Sequence, residues 1–327
     1  MRLAFSISGR RNAAEAVHLA RLAEELGLHD VWVTEDYCER GAFALAGAIA
    51  ATTHRVRVGI GVVNPWTRHP MLLAMEFATL DEISGGRAVL GLGASNPLWM
   101  TDQLGIPFDR PIGRLRDSVQ ILRAALAGES VDHEGASFHV HARLGFTPTR
   151  PRPPIVLGVK GKQALAMAAG CADGLLLSVM SSPPYVQWVR DQVGPSHELS
   201  AYVAISAGDD PVSARDRLRP TVAKYLGVHG DHPITRKAGL DPERAAAFRQ
   251  GWEDGTPRVD LVDDALLDTF AVTGSPAGAG DALARFANAG LDVAVLRDDP
   301  DVDPEASLRA ACEVHERSLR PTPSPRT

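Results

Sequence analysis

The chain has 327 residues, of which 45% are hydrophobic and 23% charged, and its formal net charge is −6 at pH 7. This length can bury a large core, while the mild acidity and the dispersed lysines and arginines exclude the basic surface that nucleic-acid binding requires. The three cysteines have no metal-ligand spacing, and no window approaches the roughly 18 uncharged apolar residues of a membrane span, so we expect a cytoplasmic protein with no membrane or nucleic-acid partner.

Hydrophobic runs of strand length alternate with helical patterns along almost the whole chain. Strands are predicted at 3–8, 30–35, 56–63, 88–92, 155–158, 172–178, 199–207 and 292–296. Helices are predicted at 13–26, 42–53, 71–83, 113–126, 161–170, 183–193, 211–226, 242–252, 277–289 and 304–319. The segment 130–140 is predicted to form a hairpin around Glu134-Gly135.

The clearest strand–helix–strand unit begins with the β-branched run at 56–63. A helix that Pro70 begins and a glycine pair ends follows it, and a second buried strand comes at once. Such short connections require a parallel sheet covered by helices. Repeated along the chain, this pattern predicts an α/β protein, a (β/α)8 TIM barrel with insertions after strand 4 and after strand 7. We expect a single domain over 1–319 and a disordered tail over 320–327.

In such a barrel the functional site lies at the carboxyl ends of the strands. Residues 158–162 join a predicted strand to a helix, so backbone N–H groups and the positive helix end converge there on an anion such as phosphate. Lys160 or Lys162 could add positive charge; the alternative is a turn whose lysines are only solvated. A Walker loop is excluded, because Val156 takes the place of its first glycine and Gln163 that of its Ser/Thr.

A glycine inside a buried strand, just before the carboxyl end, is a second unusual feature. The segment runs Gly61-Val62-Val63-Asn64, and Pro65 then stops the strand. A glycine at this point suggests a β-bulge or an abnormal peptide geometry, features that gather at functional sites. A plain strand end is the alternative.

Two adjacent carboxylates, Glu35 and Asp36, follow the second predicted strand. Neighbouring residues of a strand point in opposite directions, so at most one of them faces the barrel axis unless the chain has already turned. A carboxylate in a largely apolar mouth is biased toward its neutral form, which suits proton donation or a hydrogen bond to a ring. The alternative for each residue is that it caps the next helix.

Other kinds of chemistry have weak support. His139 and His141 lie on one face of a predicted strand, but no carboxylate stands at a suitable spacing, so we expect no metal site. The chain has no GxSxG motif and no cysteine with a plausible base near it, which disfavours a hydrolase.

Six segments together resemble the bacterial-luciferase-like superfamily. They are VWVTEDY (31–37), VGIGVVNPWTRHP (58–70), MEFATLDEISGGR (75–87), LGLGAS (90–95), LGVKGKQAL (157–165) and CADGLLLS (171–178). The run TLDEISGGRAVLGLG (79–93) is typical of the whole superfamily. The NPWTRHP segment is more specific, because it resembles the branch that uses the deazaflavin coenzyme F420. That branch includes methylenetetrahydromethanopterin reductase and the sugar-phosphate dehydrogenase of actinobacteria.

The resemblance implies a barrel, commonly a homodimer, that binds the coenzyme ring in its mouth. It places a cis peptide bond, which backs the ring, at Gly61-Val62. It also places the acid-plus-histidine pair of many members on Glu35 and Asp36, our candidate catalytic residues. The implied cofactor-binding residues are Asp36, Gly61, Val62, Val63, Asn64, Gly93, Ala94, Gly158, Val159, Lys160, Gly161 and Lys162.

Departures from the family pattern bear on the substrate. The pterin reductases have carboxylates where this chain has Ser6 and, after strand four, Ser95 and Asn96. The sugar-phosphate enzymes have a glutamate at the position of Asn96 and a histidine at that of Asp36. Only the reaction class therefore carries over, and the main hypothesis is an F420-dependent oxidoreductase that moves a hydride between C5 of the coenzyme and an organic small-molecule substrate. An FMN-dependent monooxygenase and a non-catalytic cofactor-binding protein are the alternatives.

Overall fold

The computed structural model of the protein describes residues 1–297 and 303–319, so the predicted disordered tail lies outside the described residues. The described chain divides into two compact units. The amino-terminal unit comprises Ala4–Leu177 and Gln192–Ser200. The carboxy-terminal unit comprises Met1–Leu3, Ser178–Asp191 and the chain from Ala201 onward.

The strands and helices follow one another in the predicted order. The strands are β1 (Arg2–Ile7), β2 (Asp30–Val33), β3 (Arg57–Val63), β4 (Ala88–Gly93), β5 (Val131–Glu134), β6 (His139–Ala142), β7 (Ile155–Gly158), β8 (Gly174–Leu177), β9 (Glu198–Ala207), β10 (Ala271–Gly274) and β11 (Val293–Leu296). The helices are α1 (Ala13–Glu25), α2 (Ala42–Thr52), α3 (Pro70–Ile83), α4 (Pro111–Leu126), α5 (Lys162–Ala169), α6 (Pro183–Val193), α7 (Pro211–His229), α8 (Pro233–Arg236), α9 (Pro242–Glu253), α10 (Asp264–Phe270), α11 (Pro276–Asn288) and α12 (Pro304–Leu319). A π-helix at Leu98–Gln103 and a 3-10 turn at Val259–Leu261 complete the set.

Neighbouring strands of the large sheet are parallel, as in the pairs β1–β2, β2–β3, β3–β4, β4–β7, β7–β8 and β9–β10. In the amino-terminal unit the neighbours run in the order β1-β2-β3-β4-β7-β8, and in the carboxy-terminal unit they run β10-β9-β11. Parallel strands alternate with helices along the chain, which confirms the predicted (β/α)8 barrel class, and β10 is an additional strand beside β9. The insertion after β4 contains the π-helix, and the longer one after β9 contains α8, α9 and α10.

Two short helices and one short strand are among the elements that were not predicted. The helices α8 and α10 lie in segments without a predicted element, and residues 271–274, which also lacked one, form the strand β10 beside β9. All four residues of β10 are buried. Elements of four to seven residues have too few repeats of a hydrophobic pattern to be recognised, so the tertiary contacts decide their conformation.

The packing of β2 against β3 explains the first glycine of the third strand. Trp32 is fully buried, and a Cβ atom added at Gly59, its partner in the neighbouring strand, would overlap the indole ring. The glycine therefore makes room for a large side chain in the barrel core.

The amino end of β3 is held from two sides. The carboxylate of Glu24 accepts hydrogen bonds from the backbone N–H groups of residues 54–56, at 2.6 to 3.1 Å. Arg87 donates to the carbonyl oxygens of Ala50, Thr53 and Val56. Because both the N–H groups and the carbonyl oxygens of the segment before β3 are hydrogen-bonded, the start of β3 has a defined position. The opposite end of this strand carries the predicted site residues.

The predicted hairpin is formed by β5 and β6, with its turn at 135–138. Our view that no carboxylate accompanies its histidines was wrong. Ring nitrogens of His139 and His141 lie 2.6 and 2.7 Å from the carboxylate oxygens of Glu134, because the register places Glu134 directly opposite His139. These side chains are exposed and form ion pairs with one another when the imidazoles are protonated.

Candidate functional site

The carboxyl end of β3 has an irregular backbone. Its pairing with β4 runs from Val58↔Ala88 to Ile60↔Leu90 and resumes at Val63↔Leu92, so β3 contains one extra residue. The peptide bond between Gly61 and Val62 is cis. The expected bulge is thus present, and the cis bond lies at the position that the resemblance implied.

The side chain of Val62 packs against glycines of the next two strands. A Cβ atom at Gly93 would lie 2.6 Å from Cγ2 of Val62, and one at Gly158 would lie 3.2 Å from its Cγ1. A Cβ at Gly91 would overlap the carbonyl oxygen of Ile60. These glycines therefore make room for the bulge. Val62 and Gly158 stay partly accessible, which leaves a smooth surface of small groups at this end of the barrel.

Asn64 connects this bulge to neighbouring strand ends. Its side chain is 4% exposed, and its Oδ1 accepts hydrogen bonds from the backbone N–H groups of Trp66 and Thr67 at 2.9 and 3.0 Å. Its Nδ2 donates to the Tyr37 hydroxyl at 2.7 Å, and that hydroxyl donates to Oγ of Ser95 at 2.8 Å. Burial raises the pKa of Tyr37, since a buried phenolate would be poorly solvated.

Sequence reasoning named Asn64 but missed Tyr37. One feature of the sequence points to Tyr37, because it directly follows the acid pair and ends the VWVTEDY motif. Its partners stand 27 and 58 residues further along the chain, so the contact cannot be inferred from local spacing.

The two adjacent carboxylates have different surroundings, because β2 ends at Val33 and both follow it in a loop. Glu35 is bonded through both oxygens to the guanidinium of Arg68, and it accepts from the N–H of Ala42 at 3.2 Å, at the start of α2. Asp36 is exposed and accepts from the Thr34 hydroxyl at 3.2 Å. A cavity of about 330 Å³ opens beside them, lined in part by Asp36, Tyr37 and Arg68.

The predicted anion segment has the expected arrangement at the start of α5. Gly161 precedes the helix with φ of 81°, a conformation that favours glycine, and no side chain caps this end. Solvent reaches Lys160, yet the surrounding protein disfavours its charged form and lowers its pKa to about 8. Lys162 is exposed.

Some of the predicted cofactor-binding residues have side chains that a ligand cannot reach. Val63 and Val159 are 0% and 5% exposed, so only their main chain could meet a ligand. Ala94 is partly accessible, and Gly61 is buried. The accessible members of the predicted set therefore belong to the ends of β2, β3, β4 and β7 and to the loops that follow them.

An aromatic cluster joins the NPWTRHP segment to the insertion after β4. The ring of Trp66 stacks on Phe108 with centroids 4.7 Å apart. The guanidinium of Arg114 lies 5.1 Å from the rings of both Trp66 and Phe138. This packing holds the insertion and the hairpin against the loop that follows β3.

The described part of the chain contains neither a metal-binding cluster nor a membrane-spanning helix. Within residues 1–297 and 303–319, no group of three or more His, Cys, Asp or Glu side chains is arranged to hold a metal ion. None of the described helices is long and apolar enough to cross a membrane.

The model of the family of luciferase-like monooxygenases matches residues 1–293. The chain belongs to the luciferase-like monooxygenase family. Two relatives of this luciferase-like protein are named 5,10-methylenetetrahydromethanopterin reductase. That of Archaeoglobus fulgidus is 29% identical, covering 90% of this chain and 92% of its own, and that of Methanolobus tindarius is 30% identical, covering 86% and 87%.

A solved structure matches the luciferase-like chain over almost its whole length. It is the coenzyme F420-dependent tetrahydromethanopterin reductase from Methanopyrus kandleri, with a TM-score of 0.88 and 22% identity, covering 98% of this chain and 99% of its own. This likeness shows the shared barrel fold. The identity of the ligand has to be argued from the residues of the site.

Proposed function

We propose that this luciferase-like protein is an F420-dependent oxidoreductase that transfers a hydride between the coenzyme and an organic small-molecule substrate. The observation that carries the proposal is the smooth surface around Val62 together with the uncapped start of α5 beside Lys160. A planar ring can lie on the first, and a phosphate can bind at the second. The name of the structurally similar tetrahydromethanopterin reductase includes coenzyme F420, which supports the same choice over FMN.

The residues fit the coenzyme in charge and shape. The main chain of Gly61, Val62 and Asn64, with Gly93 and Ala94, would hold the ring. The main chain of 158–162 and the two lysines would hold the phosphate. When bound, F420 supplies a hydride donor or acceptor at C5 of its ring.

Asp36 is the residue that we assign to proton transfer. Both oxygens of Glu35 are engaged by Arg68, and one also caps α2, so Glu35 orders the loop. Asp36 is exposed beside the cavity, where a carboxylate can exchange a proton with a bound molecule. The two candidate catalytic residues thus divide into a positioning residue and an acid–base residue.

Titration of the purified protein with F420 and with FMN, followed by absorbance and fluorescence, tests the choice of cofactor. We expect saturable F420 binding that is tighter than FMN binding, and oxidation of reduced F420 with at least one member of a panel of carbonyl, imine and alkene compounds. Preferential FMN binding would instead support the monooxygenase alternative. Binding without hydride exchange across the panel would support the non-catalytic alternative.

The variant Asp36→Asn tests the assignment of the acid. Loss of a general acid–base group typically slows catalysis by about a hundredfold or more. We therefore expect hydride exchange to slow by that factor, while the F420 dissociation constant stays within about twofold of the wild-type value. The matched control is Asp132→Asn, which changes an exposed carboxylate of the hairpin. Equal rates for Asp36→Asn and wild type would contradict the assignment.

We also propose that the protein is a homodimer that uses the outer faces of α2 and α3. These adjacent helices expose apolar side chains, with Leu72, Met75 and Ile83 at 55%, 48% and 48% exposure and Ala44 and Ala48 also exposed. A contiguous apolar surface is typical of an interface. Light scattering should give a dimer mass that Leu72→Asp with Met75→Asp halves, while Val212→Asp, at an exposed position of α7, leaves it unchanged. An unchanged mass in the double variant would exclude this surface.

A cytoplasmic location is the last part of the proposal. Cys38 is exposed and forms no disulfide among the described residues. An exposed thiol persists most readily in a reducing compartment. Fractionation of the native host, with immunodetection of this chain, tests the assignment.

A further inference from the structure

The directions of the hydrogen bonds through Asn64, Tyr37 and Ser95 follow from their chemistry. Since Oδ1 of Asn64 accepts from two backbone N–H groups, the atom facing Tyr37 must be the amide nitrogen, which only donates. The Tyr37 oxygen accepts this bond. Its single hydrogen is therefore directed to Ser95, 2.8 Å away.

The chain of bonds leaves the Ser95 hydroxyl as a donor. Oγ accepts from Tyr37, so its own hydrogen points away from the ring of Tyr37. Within the described residues, Ser95 donates no hydrogen bond to another protein group. The residue is partly exposed, so this donor can meet a ligand.

The position of Ser95 places its hydroxyl near the proposed ring site. Ser95 follows β4 by two residues, at the strand end where Gly93 lies against Val62.

The hydroxyl of Tyr37 stays protonated, as its role of donor to Ser95 requires. Burial and the nearby carboxylates of Glu35 and Asp36 raise the pKa of Tyr37, although its hydrogen bonds to Ser95 and Asn64 oppose this, so the phenol keeps its proton well into the alkaline range.

We propose that Tyr37 is a positioning residue that fixes the Ser95 hydroxyl as a hydrogen-bond donor to an acceptor atom, a carbonyl oxygen or ring nitrogen, on the edge of the deazaflavin ring. This inference rests on the proposed function, because it places the ring on Val62. Tyr37 acts through its hydrogen bond to Ser95.

F420 titration of Tyr37→Phe, Ser95→Ala and the double variant tests the inference. Loss of one such hydrogen bond should weaken F420 binding about three- to tenfold in each single variant and shift the absorption maximum of the bound coenzyme in the same direction. The double variant should be no weaker than the weaker single variant, because both substitutions remove the same donor. Ser95→Thr, which keeps the hydroxyl, should restore binding to within about twofold.

Tyr185→Phe is the matched control for loss of a phenol. Tyr185 is fully buried in α6, and its hydroxyl has no hydrogen-bond partner among the described residues. This variant should bind F420 as the wild type does. Thermal unfolding of every variant shows whether the fold is kept, and Ser95→Ala changes a small, partly exposed residue, so it tests the inference even if Tyr37→Phe fails to fold.

The outcomes separate this inference from the proposed function. Wild-type protein that does not bind F420 would overturn both. F420 binding by the wild type together with an unchanged affinity and spectrum in Ser95→Ala would overturn the inference alone. So would multiplicative losses in the double variant, since they would mean that Tyr37 and Ser95 act independently.

Discussion

The two ends of β2 and β3 carry carboxylates in opposite circumstances. At the amino ends, Asp30 is fully buried and bonded to Arg57 at 2.5 and 2.9 Å, and the same guanidinium reaches Glu198 at 2.8 Å. At the carboxyl ends, Asp36 is exposed beside a cavity, and Ser95 keeps a hydrogen available to a ligand. The polar groups at the amino ends therefore bond to one another and stabilise the fold, whereas those at the carboxyl ends can still form hydrogen bonds with a ligand.

Backbone N–H groups differ between the two ends in the same way. Beside the amino end of β3, residues 54–56 donate to the carboxylate of Glu24, so the protein supplies its own anion. At the start of α5, Gly161 offers no side-chain cap. The comparison teaches that one kind of donor group can serve folding or binding, depending on whether a side chain of the protein reaches it.

Breaking the buried pair at the amino end should have the largest effect. Arg57→Met leaves the Asp30 carboxylate without its guanidinium, which should lower the free energy of unfolding by about 3 to 5 kcal/mol at neutral pH, measured by chemical denaturation. Arg152→Met removes an exposed arginine 3.5 Å from Asp173 and should cost less than about 1 kcal/mol. Equal losses in the two variants would mean that burial does not distinguish the pairs.

The pH dependence sharpens this prediction. Burial favours the neutral acid, but the hydrogen bonds from Arg57 and His29 prevail and hold the pKa of Asp30 below its ordinary value of 3.8. The stability contributed by the depressed pKa is present above 3.8 and is lost as the pH falls through the lower pKa of the folded state. The difference between wild type and Arg57→Met should therefore shrink below about pH 4.

Filling a glycine position beside the bulge should have the next largest effect. In Gly91→Ala the new Cβ would overlap the carbonyl oxygen of Ile60, and backbone atoms have little room to move, so we expect a loss of about 2 to 3 kcal/mol in unfolding free energy. Gly113→Ala is the control, because its Cβ would meet only Cβ of Arg110 at 4.0 Å within α4, and it should stabilise by up to about 1 kcal/mol. A neutral Gly91→Ala would contradict the packing argument.

The two carboxylates after β2 can be separated by stability. Glu35→Gln weakens the contact with Arg68 and should lower the free energy of unfolding by about 1 to 2 kcal/mol. Asp36→Asn, at an exposed position, should change it by less than about 0.5 kcal/mol. If Asp36→Asn destabilised as much as Glu35→Gln, the division of roles would fail.

The smallest expected effect is at the anion segment. Because the pKa of Lys160 is about 8, its positive charge is present below that pH and lost above it. We expect F420 affinity to fall as the pH rises through about 8 and Lys160→Met to bind about tenfold more weakly with a flatter profile. Lys237→Met, which removes a lysine beside Trp188, should follow the wild-type profile. A wild-type-like profile in Lys160→Met would exclude this lysine from phosphate binding.

Much of the fold was predictable because its elements repeat. The apolar pattern of α3, with a proline at its start and glycines after its end, predicted the helix to within a residue. The segment 61–64 predicted a bulge because glycine is unusual in a buried strand. It could not be predicted that Gly91 makes room for the carbonyl oxygen of Ile60 and Gly93 for the side chain of Val62, since both neighbours belong to another strand.

The sequence by itself determined the alternation of strands and helices, and so the barrel, because hydrophobic periodicity and chain-stopping residues act over a few neighbouring positions. Only the tertiary structure decided that Glu35 is bonded to Arg68 and that Tyr37 links Asn64 to Ser95. These partners are brought together by the parallel strands, whose carboxyl ends meet at one rim although the residues are 27 to 58 positions apart.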